Sequence, residues 1–311
     1  MIRYKLKKWI NIENLNWKYL SRNENAIHLL KENIEKINWG ALSANPNALE
    51  LLERNLHKVD WKELSGNTSA IHILERNPDN IDWTMLSGNP NAVHILEANM
   101  DSIDWYMLSS NPNAIHILSR NMDKINWNGL SLNPKAIDIL ESNMEKIDWY
   151  LLLKNPNAIH LIEPTVNAFN PHLNLDDSWN IRYVYGFLSG NPNAMKVLGN
   201  NIDRINWNEL SRNPNGIDLL ETYVEKVNWG GLSLNPNGIE LLRMNQDKID
   251  WHKISLNPSI FEIDYQSLKE HVDIFKEELI AKCFHPNRLL YYLEKYNYDI
   301  GDETYNIDGV L

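Results

Sequence analysis

Apolar and polar positions recur along this chain with a period of 22 residues. An aromatic residue opens each unit, and tryptophan holds that position without interruption at Trp17, Trp39, Trp61, Trp83, Trp105, Trp127 and Trp149. After a 14-residue insertion the same register resumes with Tyr185, Trp207, Trp229 and Trp251. A fixed period of this length is the signature of a repeat protein, in which each unit is one small supersecondary element.

Polar residues mark the start of two short helices in each unit. Asp or Asn precedes the aromatic residue in ten of the eleven units, with Val184 as the exception, and such a side chain caps a helix N-terminus. The first helix, Trp-x-x-Leu-Ser, is little more than one turn long. Asn follows in every unit and Pro comes next in nine, which predicts the N-cap and first residue of a second helix. Asn99 before Met100 predicts that the second helix ends on a left-handed Asn.

Neither helix is long enough to be stable alone, so neighbouring units must stack to bury their apolar faces. The sequence therefore predicts an all-α fold, an α-solenoid of about eleven 22-residue two-helix repeats over residues 1–262. At the usual spacing of packed helices the array would form a curved rod of roughly 100 Å. Residues 263–311 include an amphipathic helix with Leu268, Val272, Phe275 and Leu279 on one face, which predicts a helical C-terminal cap.

The insertion, residues 165–182, is predicted to leave the solenoid as a loop between the seventh and eighth repeats. Because surface loops accept insertions at little cost in stability, we favour a tolerated insertion. The alternative is a partner-binding loop, since an aromatic side chain and two carboxylates outside a core are unusual. Its candidate residues are Phe169, His172, Asp176, Asp177 and Trp179.

Composition narrows the range of partners. A formal net charge of −11 argues against a nucleic-acid-binding surface, which relies on clustered Lys and Arg. One cysteine, Cys283, excludes an internal disulfide framework and fits a reducing compartment. No apolar run approaches the ~20 residues that span a bilayer, and the N-terminus has no hydrophobic secretion signal. We therefore expect a cytoplasmic protein with no membrane contact.

Repetition of the polar residues argues against an enzyme. Ser follows the aromatic residue by four positions in ten units, with Leu153 as the exception, whereas a nucleophile is needed only once. The sequence contains no glycine-rich phosphate loop, Cys–His metal spacing or isolated acid–base pair, so we predict no catalytic residue, cofactor, small-molecule substrate or metal. Trp in ten units raises the alternative of base stacking, as in helical-repeat RNA readers, but its place between apolar residues favours core packing.

One variable column is the best candidate for a binding face. Five histidines share a single position on the polar side of the second helix, where the other units have an acid or Lys: His28, His72, His94, His116 and His160. Neighbours in this column are expected about one helix layer apart, too far for a shared metal ion. Glu75, three positions after His72, can pair with it on the helix surface. Because the column varies while its neighbours stay fixed, we predict that it faces a partner.

The unit Asp-Lys-Ile-Asp-Trp-x-x-Leu-Ser-x-Asn-Pro-Asn-Ala-Ile-His-Leu-Leu-Glu-x-Asn resembles the repeat of numerous uncharacterised proteins of giant double-stranded DNA viruses. The tail around His285-Pro286-Asn287-Arg288-Leu289 is similar to their C-termini. This resemblance covers nearly the whole chain except the insertion. It implies a viral protein of the host cytoplasm, virus factory or virion, with no catalytic residues to transfer.

Taken together, the pattern and the resemblance predict a non-enzymatic scaffold or adaptor that binds a viral or host protein along the solenoid surface. The alternative is a structural component of the virion or virus factory that bridges copies of other proteins. Nucleic-acid binding is the less favoured third hypothesis, because it needs a basic stripe that the composition does not suggest.

Overall fold

The computed structural model of the chain describes residues 3–162 and 178–296. It confirms an all-α solenoid of repeats spaced by about 22 residues, with one small two-stranded sheet. Residues Lys5–Glu262 form one compact unit, which contains the repeats. The extreme N-terminus and the chain from Ile263 onward form the other.

The helices are short and alternate along each repeat. The first helices are Trp17–Arg22, Trp39–Ser43, Trp61–Gly66, Trp83–Ser87, Trp105–Ser110, Trp127–Leu132, Trp149–Leu152, Ser178–Gly190, Trp207–Leu210, Trp229–Leu232 and Trp251–Ile254. The second helices are Ile27–Lys31, Leu49–Glu53, Ile71–Glu75, Val93–Ala98, Ile115–Arg120, Ile137–Glu141, residues 159–162, Met195–Gly199, Ile217–Thr222 and Ile239–Met244.

Single 3-10 turns join these helices, and two more helices follow the repeats. The turns are Ile12–Asn14, Glu24–Ala26, Ile34–Lys36, Leu56–Lys58, Pro78–Asn80, Met100–Ser102, Met122–Lys124, Met144–Lys146, Pro156–Ala158, Ile202–Arg204, Val224–Lys226, Pro236–Gly238, Gln246–Lys248 and Pro258–Ile260. The later helices are Tyr265–Cys283 and Pro286–Tyr296. The eleventh repeat has a strand, Phe261–Ile263, where the other repeats have a second helix.

The predicted N-cap of the first helix is confirmed, but the predicted N-cap of the second helix and the predicted left-handed C-cap are wrong. The second helix of repeat 5 begins at Ile115 with Ala114 as its N-cap, and Asn111 caps the turn before it. The Asp104 carboxylate accepts a hydrogen bond from the Met107 N–H at 3.0 Å, and the Asn111 side-chain oxygen accepts one from the Asn113 N–H at 3.0 Å. Asn99 instead has φ −136° and ψ 49°, outside the left-handed region. Its side-chain amide donates to the Ile95 carbonyl at 2.8 Å, so the side chain itself satisfies a helix-end carbonyl.

A buried Asn in every repeat, and a buried Ser in every repeat except the seventh, join neighbouring repeats. The side-chain amide of Asn111 donates to the carbonyls of Ser87 and Asn89 in the preceding repeat, both at 3.0 Å. Ser109 Oγ donates to the Trp105 carbonyl at 2.6 Å and accepts from the Asn126 N–H of the next repeat at 2.9 Å. Stacking would otherwise bury these backbone groups without partners, so the Asn and Ser side chains are structural.

This ladder of hydrogen bonds closes on itself. The Asn23 side-chain amide donates to the carbonyls of Ser255 and Asn257, both at 3.0 Å, and the Asn16 N–H donates to Ser255 Oγ at 2.8 Å. Repeat 11 therefore stacks on repeat 1 as any repeat stacks on the next. The repeats therefore form a closed ring, and the predicted curved rod of roughly 100 Å is wrong.

A short strand pair accompanies the closure. Tyr4–Leu6 pairs with Phe261–Ile263, and the Lys7 N–H donates to the Ile260 carbonyl at 2.9 Å. Repeats 1 and 11 cover each other, so the end faces that a terminal cap was expected to close are already closed. Whether the helices after residue 263 act as a cap stays a prediction.

The insertion is not a loop throughout. The Ser178–Gly190 helix runs through Tyr185, so the end of the predicted 165–182 loop is helical and extends the first helix of repeat 8. Val184 consequently lies inside a helix, where its N–H bonds to the helix's own backbone. In the other repeats the Ser hydroxyl accepts a hydrogen bond from the N–H of the next N-cap residue. Val184 has no such N–H to donate, and repeat 7 has the fully buried Leu153 in place of Ser. The two exceptions to the repeat pattern thus have one cause.

Leucines and alanines, rather than tryptophans, form the fully buried core. Leu108, Ala114 and Leu118 have no exposed surface in repeat 5. Of the ten repeat tryptophans only Trp149 is buried, and the other nine are half-buried. The Lys124 ammonium, in the turn that leads to the next repeat, lies 5.0 Å from the centre of the Trp105 ring. Lysines at the equivalent position cover five other repeat tryptophans in the same way. The rings therefore lie in the seams between repeats, where cation–π contact supplements their burial.

Candidate interaction surfaces

The first helices form the inner face of the ring. Successive first helices pack directly against each other, as Trp105–Ser110 does on Trp127–Leu132. A side chain of repeat 1 also reaches repeat 3, since Arg22 Nη2 lies 3.1 Å from Glu63 Oε2. A contact that skips a repeat is possible only on the inner side of the ring, because the repeats lie closest together there.

Three positions of each repeat make up this face, namely those one, two and five residues after the aromatic residue. Their spacing places them on one side of the first helix, opposite the buried Leu and Ser. They vary widely, from Gly40, Ala41 and Ala44 in repeat 2 to Tyr150 and Lys154 in repeat 7. We call these residues the inner strip. Its variation beside a fixed frame is typical of a solenoid's binding surface.

A groove interrupts the inner strip at repeats 7 to 9. It has a volume of about 630 Å³, and two of its lining residues, Gly186 and Gly190, have no side chain that would fill it. Gly186 and Gly190 are four residues apart on the Ser178–Gly190 helix, so both glycines lie on the same helix face. The groove exists because this first helix begins seven residues before the aromatic position, whereas the other first helices begin at it.

Aromatic side chains line one side of the groove. The ring centres of Tyr183 and Phe187 are 4.6 Å apart, and those of Tyr150 and Tyr183 are 5.4 Å apart, both edge to face. Tyr183 is 44% exposed, so this cluster offers apolar area to a ligand. Edge-to-face packing holds the rings in fixed orientations and reduces the entropy lost on binding.

Charged groups flank these rings. The Lys154 ammonium lies 4.4 Å from the centre of the Phe187 ring, and the exposed Arg182 also lines the groove. Glu209, from repeat 9, lies 3.8 Å from the point where a side chain on Gly190 would begin. The groove therefore combines an aromatic surface with two cations and a carboxylate.

The histidine column on the second helices is held by pairs between repeats. His72 Nε2 lies 2.8 Å from Glu53 of the preceding repeat, and His94 lies 2.8 Å from Glu75. His116 and His160 pair in the same way, with Glu97 and Glu141. The predicted pairing of His72 with Glu75 within one helix is therefore wrong, because Glu75 bonds to the next repeat.

Repeat 2 shows the same arrangement with other residue types. Glu50 occupies the histidine position and pairs with Lys31 of repeat 1, while Arg54 lies 3.0 Å away on its own helix. The hydrogen bond from Lys31, followed by the charges of Lys31 and Arg54, lowers the pKa of the Glu50 carboxyl. The exchange of His for Glu at this position thus keeps a link between repeats in repeat 2, whereas Glu240 of repeat 10 pairs with Arg243 of its own helix. Variation alone is therefore weak evidence that this column is a binding face.

The predicted site residues divide into two groups. His72, His94, His116 and His160 form the column described above, and His28 is half-buried at the same position in repeat 1. Phe169, His172, Asp176 and Asp177 lie outside the described residues. Trp179 lies in the Ser178–Gly190 helix, and its side chain is also outside the description. Whether any of them contacts a partner stays a prediction.

Two further observations concern the described part of the chain. No group of three or more His, Cys, Asp or Glu side chains there converges in a way that could hold a metal ion. None of its helices is long and apolar enough to cross a membrane.

Sequence reasoning missed the inner strip and the groove. The sequence varies at the three inner positions as it does at the histidine column, and this variation is the signal that could have indicated the inner strip. The missing cap at Val184 was the signal that the eighth first helix begins upstream and brings Arg182 and Tyr183 onto its surface.

Comparison of the chain with protein-family models, curated proteins and solved structures finds no match.

Proposed function

We propose that the protein is a non-enzymatic interaction scaffold that binds another protein through the groove at repeats 7 to 9. The observation that carries the proposal is the combination of exposed Tyr183, half-buried Phe187 and flanking Arg182 where the inner strip opens into a groove. Aromatic and arginine side chains dominate the energetics of protein interfaces. The resemblance to giant-virus repeat proteins suggests a viral or host protein as the partner.

The groove fits a protein segment better than a nucleic-acid strand. Its flanking charges include Glu209 as well as Lys154 and Arg182, and the whole chain carries a formal charge of −11. Phosphate-tracking surfaces need an uninterrupted run of cations. A protein segment can instead place an apolar side chain on the rings and match charges of both signs.

Site-specific photocrosslinking tests this function. A photoreactive phenylalanine analogue at position 183 is compared with the same analogue at position 106, because Tyr106 is 45% exposed on the inner strip of repeat 5. Expressed in cells that contain the natural partners, position 183 should form one discrete protein adduct that Phe187→Ala and Arg182→Glu abolish. Equal adducts from both positions, no adduct at all, or an adduct that ribonuclease or deoxyribonuclease removes would contradict the proposal.

If the protein is instead a structural component, a different surface must bind its partners. A closed ring has no free repeat faces, so it cannot extend end to end by stacking further repeats. Bridging of other proteins would therefore have to use the ring's outer surface or the C-terminal helices. Adducts at many second-helix positions, with none at position 183, would favour that hypothesis.

A further inference from the structure

The two C-terminal helices, Tyr265–Cys283 and Pro286–Tyr296, expose an unusual amount of apolar surface. We call residues 265–296 the C-terminal hairpin. In the first helix Val272 and Phe275 are each 52% exposed and Leu279 is 63% exposed. In the second helix Leu290 is 58% exposed and Tyr296 67%. Single exposed apolar residues are ordinary, but several along one helix face, as at Val272, Phe275 and Leu279, mark an interface.

The spacing of these residues indicates what kind of element covers them. Leu268, Val272, Phe275 and Leu279 are separated by four, three and four residues, the interval of a helix that packs lengthwise on another helix. The two helices of the hairpin contact each other. Two helices cannot enclose the apolar stripes of both, whereas four helices can, and this arrangement is the four-helix bundle.

Charge favours a second copy of the same hairpin as the occupant. Residues 265–296 contain five basic and five acidic side chains, so their formal charge is zero, while the whole chain carries −11. The basic residues are Lys269, Lys276, Lys282, Arg288 and Lys295, and the acidic ones are Glu270, Asp273, Glu277, Glu278 and Glu294. Two hairpins can therefore approach without net repulsion. The absence of a basic excess disfavours an anionic membrane or nucleic acid.

The available area is sufficient. Twelve apolar side chains of the hairpin are between 36% and 70% exposed. Covering about two thirds of them in each copy would bury on the order of 1,000–1,500 Å² in total, which overlaps the range of specific interfaces. A two-fold axis would place each stripe on its own counterpart, which is the usual arrangement of homodimers. We propose that the C-terminal hairpin pairs with that of a second copy to form a four-helix bundle, so that one dimer carries two rings and two grooves.

The test is the mass of the full-length protein in solution. Sedimentation velocity and light scattering should give twice the chain mass over about 1–100 μM, and a Phe275→Glu/Leu279→Glu variant should fall to the single-chain mass, a twofold loss. Met244→Glu is the matched control, because Met244 is 66% exposed in the ring and should leave the mass unchanged. Circular dichroism should show equal helix content in all three proteins.

Two results would overturn the inference. A wild-type protein of single-chain mass at the highest concentration would mean that another part of this chain or a different protein covers the hairpin. A dimer that survives both charged substitutions would place the contact elsewhere, and loss of the dimer in Met244→Glu alone would place it on the ring.

Discussion

Asn23 and Asn257 are 234 residues apart in sequence, yet the side-chain amide of Asn23 donates to the Asn257 carbonyl at 3.0 Å. The same bond joins Asn111 to Asn89 between two internal repeats, also at 3.0 Å. The closing contact is thus one more step of the ladder. A solenoid that closes in this way has no terminal repeat. Every repeat therefore has two neighbours, and each is stabilised by stacking on both sides.

Closure predicts that Asn23→Asp and Asn111→Asp destabilise the protein equally. Aspartate keeps the oxygen that caps the repeat's own turn but replaces the donating amide with a carboxylate facing two carbonyls in a buried site. We expect each variant to lose at least about 3 kcal/mol of unfolding free energy, measured by denaturant titration. In an open array Asn23 would face solvent at an end, and its variant would be nearly neutral while Asn111→Asp stayed costly.

The paired exceptions at Leu153 and Val184 give a second prediction. Leu153→Ser restores the residue found in the ten other repeats, yet it should destabilise the protein by about 2–4 kcal/mol, because it empties a fully buried leucine site. The hydroxyl would find no N-cap N–H in repeat 8, where Val184 is already within a helix. Thermal unfolding of this variant beside wild type checks the effect. A stabilised Leu153→Ser protein would show that the serine ladder does not depend on the next repeat's cap.

The local structure was predictable from the sequence because the same polar residues recur at the same positions in nearly every repeat. An Asp or Asn before Trp fixes where the first helix begins, and an Asn before Pro fixes the turn that precedes the second helix, each through a hydrogen bond to a backbone N–H two or three residues later. Closure was not predictable, because it depends on the turn between repeats. A change of a few degrees per repeat, accumulated over eleven repeats, separates a ring from an open superhelix.

The candidate surfaces show the same limit. The histidine column was recognisable as a column, but the sequence cannot tell that Glu75 bonds to His94 of the next repeat rather than to His72 of its own helix. Both arrangements satisfy the spacing rules. The groove depended on where one helix begins, and only the missing cap at Val184 hinted at that start.

The tryptophan column gives a third prediction, in which two residues of identical role differ in burial. Trp149 is 7% exposed, whereas Trp105 is half-buried beneath Lys124. Trp149→Ala should therefore cost about 3–5 kcal/mol, and Trp105→Ala should cost less, about 1–3 kcal/mol, when both are measured by guanidinium unfolding. Equal losses would mean that the lysine and the seam bury Trp105 as fully as the core buries Trp149.

The closest approach between first helices gives the last prediction. A Cβ added to Gly129 would lie 2.5 Å from the Tyr106 carbonyl oxygen and 3.1 Å from Ser109 Cβ, so Gly129→Ala forces repeats 5 and 6 apart. Because the ring is closed, the displacement cannot be relieved at a free end and must be absorbed by the other seams. We expect a loss of about 1–3 kcal/mol despite alanine's better helix propensity.

Gly199→Ala is the control for this substitution, because a Cβ there meets nothing within 4 Å and the residue ends a second helix on the outer side. It should be neutral or stabilise the protein by up to about 1 kcal/mol, through helix propensity and a less flexible unfolded chain. Melting temperatures of the two variants should therefore move in opposite directions from wild type. If Gly129→Ala also raised the melting temperature, the first helices would have room to separate, and the tight inner wall inferred for the ring would be wrong.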